Sequence, residues 1–414
     1  MPESLVTGQI ARPRAGRSAG AEMDADSRTA APPPGALLVG LHIDRRGGLE
    51  GYTVDLGHGL QRLGWKVEAV SVLTPDQGAC EGLPTQGLMP EWMSESLFAR
   101  FWQRALGFHL KRRRRHPDVV IAVHPYTLAL VGRYARRVGV PYVGIFHGLE
   151  AWADWSHAFA RGIQASPVLA AVSRFTAQSV ERRLTRAEPG VFCLPPYVDT
   201  TRFVPGPSPE RRDDVAVLLT VSRLSAWDRY KGHDLVLASM PDVQARLGRP
   251  VHYWVVGDGD DRSRLELEAR RRGLADRTHF RGRVSASELL DLYRAADVFV
   301  MPSAVEKRSD GTWTGEGFGI VYIEAAACGL PVVALDQGGA REAVAHGETG
   351  LLVDRTEAAV GAAMLRLLGD RSLGRRMGMA GRGRVCREFS ADAFDRRLAE
   401  LMQRTLSSAI PEPA

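Results

Sequence analysis

The sequence contains very little lysine, few cysteines and no long apolar segment. Lysine supplies only four of the 54 basic side chains, at Lys66, Lys111, Lys231 and Lys307. The four cysteines, Cys80, Cys193, Cys328 and Cys386, show no spacing typical of a zinc site or a disulfide framework, so we expect free thiols. No apolar run approaches the ~20 residues that cross a bilayer, and the N-terminus lacks the apolar core of a signal peptide. The sequence therefore predicts a cytoplasmic protein, with peripheral contact to the inner face of the membrane left open.

Length and charge set broad bounds on the fold and its partners. A chain of 414 residues, 44% of them hydrophobic, is long enough for two or three packed domains. The net charge of +6 favours nucleotides, phospholipid surfaces or acidic polymers without choosing among them. Residues 1–34 are rich in Ala, Arg, Gly and Pro with little hydrophobic periodicity, which predicts a disordered tail.

Apolar runs that alternate with helical segments predict a parallel α/β sheet in the first half of the chain. The turn after the first run contains Gly47 and Gly48 but no G-x-G-x-x-G pattern, which argues against a Rossmann dehydrogenase. His147 directly follows a predicted strand and precedes Gly148, a position where α/β sheets bind ligands. The predicted strands are 36–43, 66–73, 118–123, 142–146 and 168–172.

A second sheet is predicted after a linker rich in proline and glycine near residue 205. Its first strand is followed by Arg223 and Lys231, which lie on either side of one strand-to-helix connection. Both cations can converge on one diphosphate, while Gly232 lets the backbone turn. The predicted strands are 215–221, 251–256, 297–301, 332–335 and 350–353.

Residues 311–340 contain the most informative pattern in the chain. Glycine occupies positions 315, 317 and 319, so the backbone can bend tightly while the side chains of Glu316 and Phe318 project into a cleft. A helix is predicted over 320–328, and its N-terminus would present unpaired N–H groups and a positive dipole end that suit a diphosphate. Glu324 lies in this helix, so its carboxylate and that of Glu316 can face one ligand.

The segment Glu316-Gly317-Phe318-Gly319, followed by Glu324-Ala325, resembles the E-x7-E signature of the GT-B glycosyltransferases, specifically the large retaining family 4. The resemblance covers nearly the whole chain from about residue 36. It implies an α/β protein of two Rossmann-like domains that face each other across a cleft. It also implies transfer of a sugar from a nucleotide-diphosphate donor without a metal or other cofactor.

Asp258 and Asp260 look like a D-x-D metal motif, but carboxylates at such a turn more often cap the next helix, so we predict no metal site there.

The resemblance assigns roles to individual residues. Arg223 and Lys231 resemble the pair that binds the donor diphosphate, and His147 resembles the histidine that points toward the donor sugar. Glu316 would orient that sugar and Glu324 would hold the ribose. The catalytic residues implied are His147, Arg223, Lys231 and Glu316, and the donor-binding residues implied are Gly47, Gly48, Val284, Gly317, Phe318, Gly319, Ile320 and Glu324.

Residues 91–116 carry aromatic and aliphatic side chains at roughly helical spacing, followed by a basic run from Lys111 to Arg115. Two interpretations stay open. An aromatic face joined to a basic cluster is typical of a helix that lies on an anionic membrane. The same stripe is also what a helix needs to cover a sheet, with its basic end in solvent.

These patterns together predict a retaining glycosyltransferase that moves a hexose of the mannose or glucose type, in surface polysaccharide or glycolipid assembly. Front-face substitution is the mechanism that the resemblance implies, because no residue stands out as a covalent nucleophile. A nucleotide-sugar epimerase or hydrolase, or a non-catalytic sugar-nucleotide binder, remain alternatives on the same fold. The predicted partners are a nucleotide sugar and a lipid-linked or saccharide acceptor, and not nucleic acid.

The predicted domain order follows from the two sheets. Residues 35–205 would form an acceptor-side domain, and residues 206–388 a nucleotide-sugar-binding domain. Residues 389–414 would form a helix that returns to the first domain.

Overall fold

The computed structural model describes residues 32–43, 47–76, 78–185, 190–212 and 214–408. The side chains of Leu49 and Glu50 are not described. Most of the predicted tail, residues 1–31, and the last part of the predicted C-terminal segment, residues 409–414, lie outside the described residues.

The first half of the chain builds one sheet with helices on its faces. Its strands are β1 (Gly35–Gly40), β2 (Lys66–Ser71), β3 (Ala79–Cys80), β4 (Leu83–Gly87), β5 (Val119–Ala122), β6 (Tyr142–Phe146), β7 (Val168–Ala171) and β8 (Phe192–Cys193). Its helices are α1 (Gly48–Arg62), α2 (Glu95–Phe98), α3 (Trp102–Arg112), α4 (Leu128–Val138), α5 (Leu149–Trp152), α6 (His157–Gln164) and α7 (Arg174–Glu181), with a 3-10 turn at Pro125–Thr127. The strand order is β3-β4-β2-β1-β5-β6-β7-β8, and all of these pairings except that of β3 with β4 are parallel.

The second half builds a separate parallel sheet. Its strands are β9 (Ala216–Val221), β10 (Val251–Val256), β11 (Thr278–Gly282), β12 (Val298–Val300), β13 (Glu306–Lys307), β14 (Trp313–Thr314), β15 (Val332–Leu335) and β16 (Gly350–Val353). Its helices are α8 (His233–Leu247), α9 (Arg262–Arg271), α10 (Ala286–Ala295), α11 (Ile320–Ala327), α12 (Ala340–Ala343), α13 (Glu357–Gly369), α14 (Arg371–Glu388) and α15 (Ala391–Ser407), with a 3-10 helix at Ala226–Lys231. The sheet runs β11-β10-β9-β12-β15-β16, while β13 and β14 pair as a separate hairpin.

Continuous apolar strands explain this architecture. Leu37, Leu38 and Val39 are neighbours in β1, and all three are fully buried although successive side chains point to opposite faces. A strand buried on both faces requires helices on both sides of the sheet, as in doubly wound α/β folds. The predicted bounds of β6, β10, β15 and β16 are confirmed residue for residue, whereas the first predicted strand ends at Gly40 rather than at Ile43.

The region 91–116 does not form one helical stripe as the spacing suggested. The chain forms the short helix α2, leaves helical structure around residues 99–101, and re-enters it in α3. Leu106 and Leu110 of α3 are buried against the first sheet, whereas Trp92 is 80% exposed and Phe108 61% exposed. The apolar side chains of this region therefore form two groups. One group packs against the first sheet, and the other is exposed on the surface.

The last helix, α15, packs on α1 of the first half. Phe394 and Leu398 are fully buried against Gly59, and Phe394 also packs edge-to-face on Tyr52. At the rim, the guanidinium of Arg62 donates two hydrogen bonds to the carboxylate of Asp395, at 2.7 and 2.8 Å. Helix α15 therefore completes the hydrophobic core around α1.

Replacing Leu398 by alanine is expected to destabilise the protein by about 2–5 kcal/mol, because it leaves a cavity between α15 and α1. Urea unfolding would measure the change. Arg396, an exposed residue of the same helix, is the control, and Arg396→Ala should shift stability by no more than about 0.5 kcal/mol. Equal effects of the two substitutions would contradict the packing role of α15.

Candidate functional site

A cleft of about 500 Å³ lies between the carboxyl ends of the strands in the two sheets. Parallel sheets place the loops that follow their strands at one edge, which is where α/β proteins bind ligands. All of the residues predicted for the site line this cleft except Val284 and Glu324. Those that line it are Gly47, Gly48, His147, Arg223, Lys231, Glu316, Gly317, Phe318, Gly319 and Ile320.

The glycine loop of the second half lies in direct contact with the first half. A Cβ atom added at Gly317 would overlap the backbone carbonyl oxygen of His147, which belongs to the first half. Gly319 then takes a left-handed conformation, with φ of +88°, and caps the N-terminus of α11. The loop thus aims the first N–H groups of α11 into the cleft, as an anion site requires.

Lys231 and Glu316 form an ion pair on the wall of the cleft. Both side chains are largely withdrawn from solvent, at 13% and 17% exposed. Burial alone lowers the pKa of the Lys231 ammonium, but the opposing charge of Glu316 outweighs it and the pKa lies above its ordinary value. Lys231 therefore stays protonated throughout the physiological pH range.

Arg223 occupies the same cleft in a different environment. Its side chain is 69% exposed, and its Nε lies 3.1 Å from Oδ2 of the buried Asp228. The Asp228 carboxylate holds the guanidinium at its Nε, while most of the arginine side chain faces solvent. The two predicted cations thus divide into a buried, paired lysine and an arginine at the mouth of the cleft.

His147 is held in one orientation. Its Nε2 lies 2.7 Å from the carbonyl oxygen of Val123, and since a carbonyl only accepts, Nε2 carries the proton. The ring packs edge-to-face on Tyr52, and the backbone N–H of His147 donates to the carboxylate of Glu150. Glu150 is only 4% exposed and itself lines the cleft.

His124 lies beside these groups on the side of the cleft formed by the first half. Burial lowers the pKa of His124 to about 4, so its ring is neutral at physiological pH. Its Nδ1 is buried without a hydrogen-bond partner among the described residues, and its ring stacks on Tyr126 at 4.8 Å. This wall offers a neutral polar group to a ligand, in contrast to the charged wall opposite.

Two predicted residues, Glu324 and Val284, are not among the residues that line the cleft. Glu324 points from α11 toward Tyr293, whose hydroxyl donates to the Glu324 carboxylate at 2.8 Å. Burial raises the pKa of the Glu324 carboxyl, and the hydrogen bond from Tyr293 opposes that shift. Val284 is half-buried in the loop before α10. Contacts of these two residues with a donor remain predictions.

Sequence reasoning missed several residues of the cleft. Tyr52 supports the ring of His147, and Tyr230 places its ring 5.0 Å from the Nζ of Lys231. Glu150 is the fourth residue of the segment that begins at His147, and this short spacing was a signal in the sequence. Tyr52 lies within α1, and nothing in its local sequence distinguishes it from a core residue.

The turn at Asp258 and Asp260 makes backbone hydrogen bonds. Asp260 accepts from the N–H of Ala226 at 2.8 Å, and Asp258 accepts from the N–H of Gly259 at 3.0 Å. Within the described part of the chain, no group of three or more His, Cys, Asp or Glu side chains is arranged to hold a metal ion.

A second contact joins the halves beside the cleft. The carboxylate of Glu342, at α12 in the second half, accepts hydrogen bonds from the N–H groups of Arg174 and Phe175 at 2.8 and 2.9 Å. These donors begin α7 of the first half, where the helix dipole favours a negative charge. One half thus caps a helix of the other.

Two protein-family models match this chain, one on each half. The model of the family described as Glycosyl transferases group 1 matches residues 207–384, and that described as Glycosyltransferase Family 4 matches residues 46–202. The chain is 36% identical over 291 residues to a GDP-mannose-dependent alpha-(1-6)-phosphatidylinositol monomannoside mannosyltransferase of Mycolicibacterium smegmatis, covering 66% of this chain and 73% of that relative. It is 32% identical over 348 residues to D-inositol 3-phosphate glycosyltransferase 2 of Catenulispora acidiphila, covering 74% of this chain and 78% of that relative.

The fold has counterparts among solved structures. A sucrose-phosphate synthase from Thermosynechococcus elongatus superposes with a TM-score of 0.72 at 23% identity, over 90% of this chain and 98% of that one. With family models on both halves and relatives above 30% identity, this chain belongs to the glycosyl transferases of group 1 and is a glycosyltransferase with the GT-B fold.

Proposed function

We propose that this enzyme transfers a mannose-type hexose from a nucleotide-diphosphate donor to a lipid-linked acceptor, with retention of anomeric configuration. The proposal rests chiefly on the wall where Lys231, Arg223 and the N-terminus of α11 converge, opposite His147. This wall concentrates positive charge where a departing diphosphate gains negative charge. Such preorganised stabilisation is usually the largest contribution to catalysis.

Lys231 would gain a second partner during the reaction. Its ammonium forms an ion pair with Glu316. An ammonium has three donors, so Lys231 can keep Glu316 in place while it binds an oxygen of the diphosphate. Glu316 is then held at the edge of the sugar, where its carboxylate can accept hydrogen bonds from hydroxyl groups.

Retention follows in this proposal from substitution on one face of the sugar. The two carboxylates on the described wall of the cleft, Glu150 and Glu316, are already engaged with His147 and Lys231. As the bond from sugar C1 to the phosphate oxygen breaks, the acceptor hydroxyl attacks from the same side. The leaving oxygen takes the hydroxyl proton, and His147 supports the reacting face.

The relatives support the choice of sugar and acceptor. The Mycolicibacterium smegmatis relative is named for GDP-mannose and for a phosphatidylinositol monomannoside, which is a glycolipid. The Catenulispora acidiphila relative is named for D-inositol 3-phosphate, which carries no lipid. The surface around α2 and α3 favours the lipid-linked class for this chain.

That surface combines exposed aromatic side chains with basic ones. Trp92, Phe101 and Phe108 are 80%, 44% and 61% exposed, and the basic run from Lys111 to Arg115 follows them. His42 Nε2, two residues after β1, lies 3.4 Å from a carboxylate oxygen of Glu95, so α2 lies beside the carboxyl end of β1. No helix in the described chain is long and apolar enough to span a bilayer. We therefore propose peripheral attachment to an anionic membrane by this surface.

Removing the Lys231 ammonium should lower acceptor-dependent nucleotide release by about 10²–10³-fold in kcat, because the developing phosphate charge loses its buried partner. The assay compares the native protein and Lys231→Ala with GDP-mannose, UDP-glucose and other sugar nucleotides, with and without phosphatidylinositol mannosides. Lys66→Ala is the matched control, since Lys66 is an exposed lysine at the start of β2.

Three other results would redirect the proposal. Release without any acceptor would favour the hydrolase or epimerase alternative. Donor binding with no release under any condition would favour the non-catalytic binder. An inverted anomeric configuration in the product, read from its NMR coupling constants, would exclude the front-face mechanism.

Chelation of divalent metals should leave the rate unchanged. The proposal assigns the counter-charge for the diphosphate to Arg223, Lys231 and the N-terminus of α11, all of them part of the protein. Nucleotide release measured in EDTA, against the same reaction with added Mg²⁺, checks this. A rate that falls in EDTA and returns with metal would contradict it.

Replacing Trp92 and Phe108 together by serine should weaken binding to phosphatidylglycerol vesicles by at least about tenfold, because both exposed rings lose their apolar contact with lipid. Vesicle co-sedimentation measures this. Trp227→Ser is the control, because Trp227 is 62% exposed on the second half and lies away from α2 and α3. Equal binding by the double variant and the native protein would refute attachment by this surface.

A further inference from the structure

A second cavity, of about 200 Å³, lies at the opposite end of the second sheet from the cleft. Its lining includes Arg249, Asp297 and Pro331, which come just before β10, β12 and β15. Because these strands are parallel, all three residues mark the amino ends of the strands. The catalytic cleft lies at the carboxyl ends, so the two cavities are separated by the sheet itself.

The lining of this cavity is strongly basic. Its arginines are Arg211, Arg249, Arg294, Arg371 and Arg375. Among the described lining residues, Asp297 is the one carboxylate, and it is already engaged. Its Oδ1 lies 3.0 Å from Arg211, and its Oδ2 accepts from the N–H of Val217 at 2.9 Å. Asp297 therefore does not balance the positive charges of Arg249, Arg294 and Arg375.

Backbone carbonyls hold two of these arginines in place. Nη2 of Arg249 donates to the carbonyl of Leu368 at 3.3 Å, and Nε of Arg294 donates to the carbonyl of Val204 at 2.9 Å. Neither has a carboxylate within ion-pair distance among the described residues, and Arg375 has no such partner either. A carbonyl fixes a guanidinium without cancelling its charge, so the remaining N–H groups stay available to an anion.

We propose that this cavity binds a phosphate or diphosphate group through Arg249, Arg294 and Arg375. The planar guanidinium presents paired donors that match phosphate oxygens. Several like charges that share one cavity repel each other, and a bound anion removes this repulsion. The volume suits a phosphate group with a small substituent, and the shared chemistry includes a free phosphorylated metabolite and the headgroup of an anionic lipid.

A ligand here would reach the cleft through Tyr293. The tyrosine ring lines the cavity, and its hydroxyl donates to Glu324 of α11, the helix that begins at the glycine loop. Occupancy is therefore expected to change the apparent KM for the donor. This second consequence rests on the proposed function, whereas anion binding itself does not.

Calorimetric titration with inorganic diphosphate tests the site in a Lys231→Ala background, which weakens binding in the cleft. We expect binding to persist in this background. Adding Arg249→Gln and Arg375→Gln should weaken it by at least about tenfold, as the loss of charge-assisted hydrogen bonds implies. Arg271→Gln is the matched control, an exposed arginine of the second half that does not line the cavity. Unchanged affinity in the arginine variants would overturn the proposal.

Arg375→Glu separates binding from folding, because this exposed side chain can be reversed in charge without disturbing the core. In the Lys231→Ala background it should abolish the diphosphate binding that remains, while the thermal midpoint stays unchanged. Parallel co-sedimentation with phosphatidylglycerol and phosphatidylcholine vesicles distinguishes the two sources of phosphate. Loss of vesicle binding in Arg375→Glu identifies a lipid headgroup, and loss of diphosphate binding alone identifies a free phosphorylated molecule. Loss of neither refutes the site.

Discussion

The approach of two backbones at Gly317 is the constraint on which the site depends. The carbonyl of His147 occupies the space where any side chain at position 317 would begin. Because glycine has no side chain there, the glycine loop of the second half lies directly against the strand end that carries His147. The histidine and the cationic wall then share one cleft although they belong to different sheets. The Glu342 carboxylate, which caps α7 across the same boundary, fixes this approach from the side.

The charged groups follow from that geometry. A lysine whose side chain is only 13% exposed is costly unless an opposite charge accompanies it, and Glu316 provides this charge. Because the carboxylate lies in the loop that contacts the other half, the ion pair is tied to the junction between the halves. Arg223 also lies beside a carboxylate, that of Asp228, but most of the arginine side chain remains exposed. The chain uses lysine rarely, and here it supplies a compact ammonium rather than a planar guanidinium.

Much of this arrangement could be predicted from the sequence, and the remainder depended on packing. Apolar runs such as 251–256 are buried on both faces, so pattern alone located them. Glu324 was harder to place because helical spacing does not show that a tyrosine from another helix donates a hydrogen bond to its carboxylate. Val284 likewise lies in the loop before α10, and the sequence pattern does not predict which way a loop side chain points. In 91–116, spacing identified apolar residues but did not separate the face that covers the sheet from the face that is exposed.

The packing of α15 on α1 has a consequence for synthesis. The chain leaves the ribosome with its first sheet early and α15 last, so the apolar face of α1 that contacts Phe394 and Leu398 has no cover during translation. The first half cannot complete its core until the second half has been made. An interrupted chain would therefore expose the apolar face of α1, a surface that favours aggregation.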